Sequence, residues 1–209
     1  MSSIHETQGP LIVSPPLNLY RPGLGQRIGL FGGSFNPAHE GHFHVATTAL
    51  ERLNLDWVWW IVARGNPLKA EHGDFAARLA SAETLASHPR MRVLDIEQRH
   101  ELTYSIDTIT RFQQRNQTTR FVWLMGGDNL EHFHKWKDWE AIAARVPIAV
   151  IARPGAELGN SEFETRFADA YLPEADADTL ADRPAPTWTY LTGGMVDASS
   201  TAIRNQEVR

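Results

Sequence analysis

The chain of 209 residues falls in the single-domain range, its 42% apolar content suffices for a sizeable core, and a formal net charge of −5 lacks the broad basic face that a general nucleic-acid binder needs. The absence of cysteine removes disulfides, zinc-thiolate sites and cysteine nucleophiles, and fits a reducing cytoplasm. No apolar run approaches the roughly 18 residues of a membrane span and no signal-peptide core opens the chain, so the sequence reads as cytoplasmic and free of the membrane.

Residues 1–26, with Pro10, Pro15, Pro16 and Pro22, read as an irregular N-terminal arm ahead of one domain over 27–209. From Arg27 onward, β-prone runs at 27–31, 57–62, 91–96, 121–125 and 148–152 alternate with helix-prone stretches near 41–54, 74–87, 105–116 and 138–145. Strands separated by helices of crossover length predict an α/β fold with a parallel sheet. An acidic segment at 174–186 reads as a surface loop, a sixth run at 188–191 as a strand, and a last helix is expected to begin around Ser199.

The first run ends in Gly32-Gly33-Ser34-Phe35-Asn36-Pro37 and passes through Ala38-His39-Glu40-Gly41-His42 into a helix expected from Phe43. Strand, glycine turn and helix start are a context for phosphate: glycine admits close backbone approach and positive φ, and free N–H groups at a helix start attract an anion. Alone, the glycine pair is just a tight turn. His39 and His42 add two imidazoles at its mouth, able to donate to phosphate oxygens and, when protonated, to offset charge on a pentavalent phosphorus. The competing readings are a structural histidine pair and a metal site that includes His44, the latter without an evident carboxylate ligand.

Near the other end, Asp197-Ala198-Ser199-Ser200-Thr201-Ala202-Ile203-Arg204 sets three hydroxyls at a helix start and a guanidinium about one turn later, which is either an ordinary capped helix or a second anion cradle. In between, Asn66-Pro67-Leu68-Lys69 follows the second run, Tyr104-Ser105-Ile106-Asp107-Thr108 opens a helix, and Met125-Gly126-Gly127-Asp128 follows the fourth run. All fall at C-terminal strand ends, the edge where open α/β sheets bind ligands. Taken singly, Lys69 reads as a solvated lysine, 104–108 as a helix cap and Asp128 as a loop residue.

Residues 32–42 resemble the signature of the HxGH nucleotidyltransferase superfamily, and 197–204 resemble its I-S-S-T-x-I-R signature, with Ala198 where isoleucine or valine is common. Together with the middle segments, with 132–139 and with Ala152-Arg153-Pro154-Gly155, the chain is similar to the bacterial nicotinate-nucleotide adenylyltransferase family over 27–206. The resemblance implies a Rossmann-like open parallel sheet with helices on both faces. It implies that His39 and His42 contact nucleotide phosphates, and that Gly32, Gly33, Ser34, Phe35, Lys69, Arg153, Ser199, Ser200, Thr201 and Arg204 serve ATP. It further implies that Trp136 stacks on a pyridine ring, that Lys137 and Tyr104, Ser105 and Thr108 receive the nicotinate carboxylate, and that Asp128 shapes the acceptor pocket. An aromatic face suits a flat ring, and N–H or hydroxyl donors suit a carboxylate. Ser34 and Asn36 depart from the family's commoner threonine and aspartate, placing a neutral amide beside the phosphates.

The expected reaction is in-line attack by the 5′-phosphate of nicotinate mononucleotide on the α-phosphorus of ATP, releasing pyrophosphate without a covalent intermediate. Mg²⁺ is expected to come with ATP, held by substrate oxygens and water, with no dedicated protein metal site. Other acceptors on the same chemistry, a non-catalytic nucleotide sensor and a histidine metal hydrolase are the rival readings, and a homo-oligomer is left open.

Overall fold

The computed structural model describes residues 22–65, 73–154, 158–159 and 161–193. The strands are β1 (Arg27–Gly33), β2 (Trp57–Val62), β3 (Met91–Leu94), β4 (Arg120–Gly126), β5 (Ile148–Ile151) and β6 (Trp188–Leu191), all parallel in the order β3-β2-β1-β4-β5-β6. After β1 the chain builds outward through β2 and β3, then returns to the other side of β1 as β4. The gap between the ends of β1 and β4 is therefore the topological switch point, where ligands bind in such sheets.

Both faces of the sheet are buried, which is why its strands read as unbroken apolar runs. Within β2, Trp59 and Ile61 enter one core while Val58, Trp60 and Val62 enter the other, as the two-residue strand period requires. On the first face lie α4 (Ser105–Arg115), through Ile106, Ile109 and Phe112, and α6 (Trp139–Arg145), through Ile142 and Ala143. On the second lie α1 (Glu40–Arg52), through Val45, Ala46, Ala49 and Leu50, and α2 (Phe75–Leu85), through Ala82 with Phe75 and Leu79 partly buried. Helices thus cover both faces, and α/β with an open parallel sheet is the observed class.

Several boundaries differ from the sequence expectation. Helix α1 begins at Glu40 rather than near Phe43, because extended His39 (φ −150°, ψ 167°) acts as its N-cap residue. Strand β3 ends at Leu94; Asp95 precedes a short helix α3 (Ile96–Arg99) and binds the Nε of Arg99 at 2.6 Å. The acidic segment is not a loop but a 3-10 helix over Glu174–Asp182 that buries Ala177, Leu180 and Ala181 in the second core. The carboxylates at its two ends are matched: Asp182 meets Arg27 at 2.7 Å and Arg120 at 3.0 Å, and Glu174 meets Arg52 at 3.0 Å and the Thr192 hydroxyl at 2.6 Å. Apolar residues three and four apart among those charges were the available signal.

Candidate functional site

The turn after β1 is shaped by aromatic rings. A Cβ on Gly32 would lie 2.6 Å from the Trp123 ring, and one on Gly33 would lie 2.8 Å from the Phe35 ring, so both positions exclude a side chain. Positive φ occurs at Phe35 (φ 46°), not at either glycine. A bulky residue in that region is costly. Phe35 is held there by burial, 1% exposed, with ring centroids 5.5 Å from Phe31, 5.1 Å from Trp60 and 5.0 Å from His42. The expectation of a glycine-led turn is corrected on this point: the glycines make room for rings, and an aromatic anchor takes the strained backbone. The Phe35 side chain faces the core, leaving only its backbone for a ligand.

His39 and His42 occupy the N-cap and third positions of α1, and their rings lie 3.8 Å apart between centroids at a 38° tilt. The His39 backbone N–H donates to Nδ1 of His42 at 3.2 Å. Nδ1 is thereby an acceptor, so neutral His42 carries its proton on Nε2 and offers that N–H as a donor. His39 is 6% exposed and its Nδ1 has no partner among the described residues. Burial, reinforced by the charge of Arg153 and opposed by Asp128, lowers its pKa to about 4, so the ring is neutral at neutral pH.

Those two charged residues come from neighbouring strand ends. Short helix α5 (Gly127–Leu130) follows β4 directly and carries Asp128 in its first turn; Arg153 follows β5. Arg153 Nε lies 3.7 Å from Asp128 Oδ1, with the Arg153 side chain largely buried and that of Asp128 open to solvent. A Cβ at Gly126 would lie 2.5 Å from Asp128 Oδ1 and 2.6 Å from Arg153 Cδ, so a side chain there would have to displace one or both of them. His39, His42, Arg153 and Asp128 therefore form one group at the switch point. Among the described residues no cluster of three or more His, Asp or Glu side chains is arranged to hold a metal ion.

The candidate acceptor residues form a second group. Tyr104 is the N-cap residue of α4, and Lys137 Nζ sits 4.3 Å from the centre of its ring. Trp136 is half-buried, its ring 5.3 Å from Phe133 and 6.2 Å from Trp123, while α6 starts at Trp139, two residues after Lys137. Ser105 opens α4 and is partly exposed. Thr108 is different: it is fully buried and its hydroxyl donates to Glu97 Oε1 at 2.9 Å. Its expected direct contact with a ligand carboxylate is corrected, because that donor is committed inside the protein. Trp123 joins the two groups, filling the space above Gly32 on one side and meeting Trp136 on the other.

Sequence reasoning missed Arg78 and Glu97. Arg78 is 3% exposed and donates to the carbonyls of Ser34 (2.8 Å), Ala63 (2.7 Å) and Arg64 (3.3 Å). Glu97 is 5% exposed, accepts from the Arg64 N–H at 3.3 Å, and burial pushes its pKa up to about 7 against the lowering effect of the Thr108 hydroxyl, the Arg64 N–H and Arg78. The available signal was a charged residue amid the apolar spacing of α2. Lys69 with Asn66, Pro67 and Leu68, and Ser199, Ser200, Thr201 and Arg204, lie outside the described residues.

A family model described as cytidylyltransferase-like matches residues 30–206. A relative from Rhizobium etli, named probable nicotinate-nucleotide adenylyltransferase, is 47% identical over 182 residues, covering 85% of this chain and 95% of its own length. One of the same name from Methylorubrum extorquens is 48% identical over 185 residues, covering 86% of this chain and 100% of its own. Among solved structures, the Plasmodium falciparum nicotinic acid mononucleotide adenylyltransferase complexed with NaAD aligns at a TM-score of 0.66 and 16% identity, over 86% of this chain and 83% of that one. At that identity the likeness concerns the fold.

Proposed function

We propose a division of labour for this chain, which belongs to the nicotinate-nucleotide adenylyltransferase family within the cytidylyltransferase-like proteins and transfers AMP from ATP to nicotinate mononucleotide, yielding nicotinate adenine dinucleotide and pyrophosphate for NAD synthesis. The observation that carries the reading is the gathering of His39, His42, Arg153 and Asp128 at the switch point, one tryptophan away from Tyr104, Lys137 and Trp136.

The acceptor phosphate is already an anion at neutral pH, so no protein nucleophile or general base is needed. The protein's task is to align two nucleotides and to stabilise charge on the α-phosphate and the departing pyrophosphate. His42, donating through Nε2, acts on that charge. His39 is neutral in the free protein and adds a hydrogen bond, while Arg153 supplies a fixed positive charge that Asp128 holds in place. The backbone N–H groups that open α1 extend the same field. Lys69, Ser199, Ser200, Thr201 and Arg204 are assigned to the triphosphate on the likeness of their motifs alone. A Mg²⁺ ion carried in with ATP would be held by phosphate oxygens and water rather than by this chain, and would supply charge that lowers the repulsion between the two anionic substrates.

On the acceptor side Trp136 offers an aromatic face to the pyridine ring, and the start of α4 with Lys137 supplies donors and positive charge for its carboxylate. An uncharged carboxamide would forgo that attraction. Both substrates are water-soluble nucleotides, among the described residues no helix is long and apolar enough to cross a membrane, and the reading places the enzyme in the cytoplasm. The test is pyrophosphate release from Mg-ATP with nicotinate mononucleotide, nicotinamide mononucleotide and phosphopantetheine at equal concentration. Preference for the first is expected; preference for another acceptor overturns the pocket assignment.

A further inference from the structure

The group formed by Arg78, Glu97 and Thr108 has no role in the chemistry just described, yet it joins the turn that carries Ser34 to the helix that opens with Ser105, by way of the end of β2. Arg78 takes the Ser34 carbonyl in the turn after β1 and the Ala63 and Arg64 carbonyls after β2. The Arg64 peptide is gripped from its other end by Glu97, whose second carboxylate oxygen accepts the Thr108 hydroxyl in the first turns of α4. A continuous chain of bonds thus runs from the phosphate turn, through the end of β2, to the helix whose start is the candidate carboxylate site. One further contact binds the turn to the same side: the Ala38 N–H donates to Ser81 Oγ at 2.9 Å.

We propose that Arg78 and Glu97 are positioning residues for AMP transfer, coupling the placement of the phosphate turn to the placement of the α4 N-terminus so that the two substrates meet at the correct distance. The inference rests on the functional reading above. Three carbonyls in different directions call for a planar fork of donors, and a lysine, with one compact charge, cannot span them. A buried guanidinium and a buried carboxyl are expensive to retain for stability alone, since a well-packed apolar pair can serve that purpose as well. In-line transfer gives such a pair a use, because a displacement of about 1 Å between reacting groups costs on the order of 10²-fold in rate.

The experiment is steady-state pyrophosphate release by Arg78→Lys, Glu97→Ala and Glu97→Gln, with KM measured separately for ATP and for nicotinate mononucleotide and the folded fraction measured by thermal unfolding. Arg78→Lys and Glu97→Ala are expected to lower kcat roughly 10- to 100-fold while both KM values stay within about threefold, because each substrate still binds but the two are misaligned. Glu97→Gln, which keeps an acceptor for Arg64 and a partner for Thr108, is expected to restore kcat to within about threefold of wild type. The double variant Arg78→Lys/Glu97→Ala is expected to be no slower than the worse single variant, as residues of one relay are not additive. Unchanged kcat per folded molecule, or a change confined to the KM of one substrate, overturns the coupling while leaving the function intact. If wild-type protein releases no pyrophosphate, the functional reading falls and this inference with it. Should Arg78→Lys and Glu97→Ala fail to fold, Thr108→Val, which cuts only the last bond, is read by the same criterion.

Discussion

Nδ1 of His42 accepts the backbone N–H of His39 at 3.2 Å, so the residue that caps α1 and the residue that faces the chemistry are locked to each other by the helix start itself. The consequence is a fixed tautomer and a ring that does not need to reorganise when charge develops. His42→Ala is expected to lower kcat about 10²- to 10³-fold with a smaller change in the KM for ATP. Steady-state pyrophosphate release checks this, and normal turnover in the variant would remove His42 from the mechanism. His42→Asn, whose carbonyl can accept the same N–H, separates the two duties: it is expected to recover thermal stability but not rate.

Trp136 is packed edge-on against Phe133 and Trp123, so it cannot be read as either a free stacking platform or an inert core residue. Trp136→Ala is expected to raise the KM for nicotinate mononucleotide roughly 2- to 10-fold, the worth of one aromatic contact at about 0.5–1.5 kcal/mol, and to leave the KM for ATP unchanged. Trp136→Phe is expected to keep most of both. An equal rise in the two KM values would instead mean that the substitution loosens the sheet edge as a whole.

The sequence made the sheet and most helices legible because the strands are buried on both faces and the helices carry apolar residues at regular spacing. It also made the first turn legible, since Gly32, Gly33, His39 and His42 sit close together in the chain. What it concealed were relations that depend on packing across the sheet. Nothing local shows that Gly32 is glycine because Trp123, ninety-one positions later, fills its Cβ space, or that Thr108 is spent on Glu97. The start of α1 is hidden for three residues because a histidine serves as its N-cap, where Ser, Thr, Asp or Asn is the usual signal.

The contact between Gly32 and Trp123 gives a stability prediction. Adding one methyl in Gly32→Ala forces apart a β1 backbone and a ring that is 1% exposed, an overpacking cost of about 1–3 kcal/mol. For a domain of this size that corresponds to a fall in Tm of roughly 2–4 °C per kcal/mol. The double variant Gly32→Ala/Trp123→Phe, with a smaller ring in the same place, is expected to recover part of the loss. Thermal unfolding of the four proteins checks it, and strict additivity of the two substitutions would show that the ring and the glycine do not compete for the same space.

His39 and Glu97 make opposite demands on pH. The His39 pKa falls from its ordinary 6.5 to about 4 on folding, so the unfolded chain binds the proton more tightly, and the stability present above pH 6.5 is lost as pH falls through 4. The Glu97 pKa rises from 4.5 to about 7, so the folded chain binds the proton more tightly, and the stability present below pH 4.5 is lost as pH rises through 7. Each displacement corresponds to about 3 kcal/mol over its full range. Between pH 4.5 and 6.5 the two slopes have opposite signs and largely cancel in the wild-type protein. Single variants unmask them. Glu97→Gln is expected to lose stability on acidification from pH 7 to 5, leaving His39 unopposed, whereas His39→Gln is expected to gain stability over the same interval. Urea unfolding at pH 7, 6 and 5 measures both, and three parallel curves would mean that neither side chain changes its proton affinity on folding.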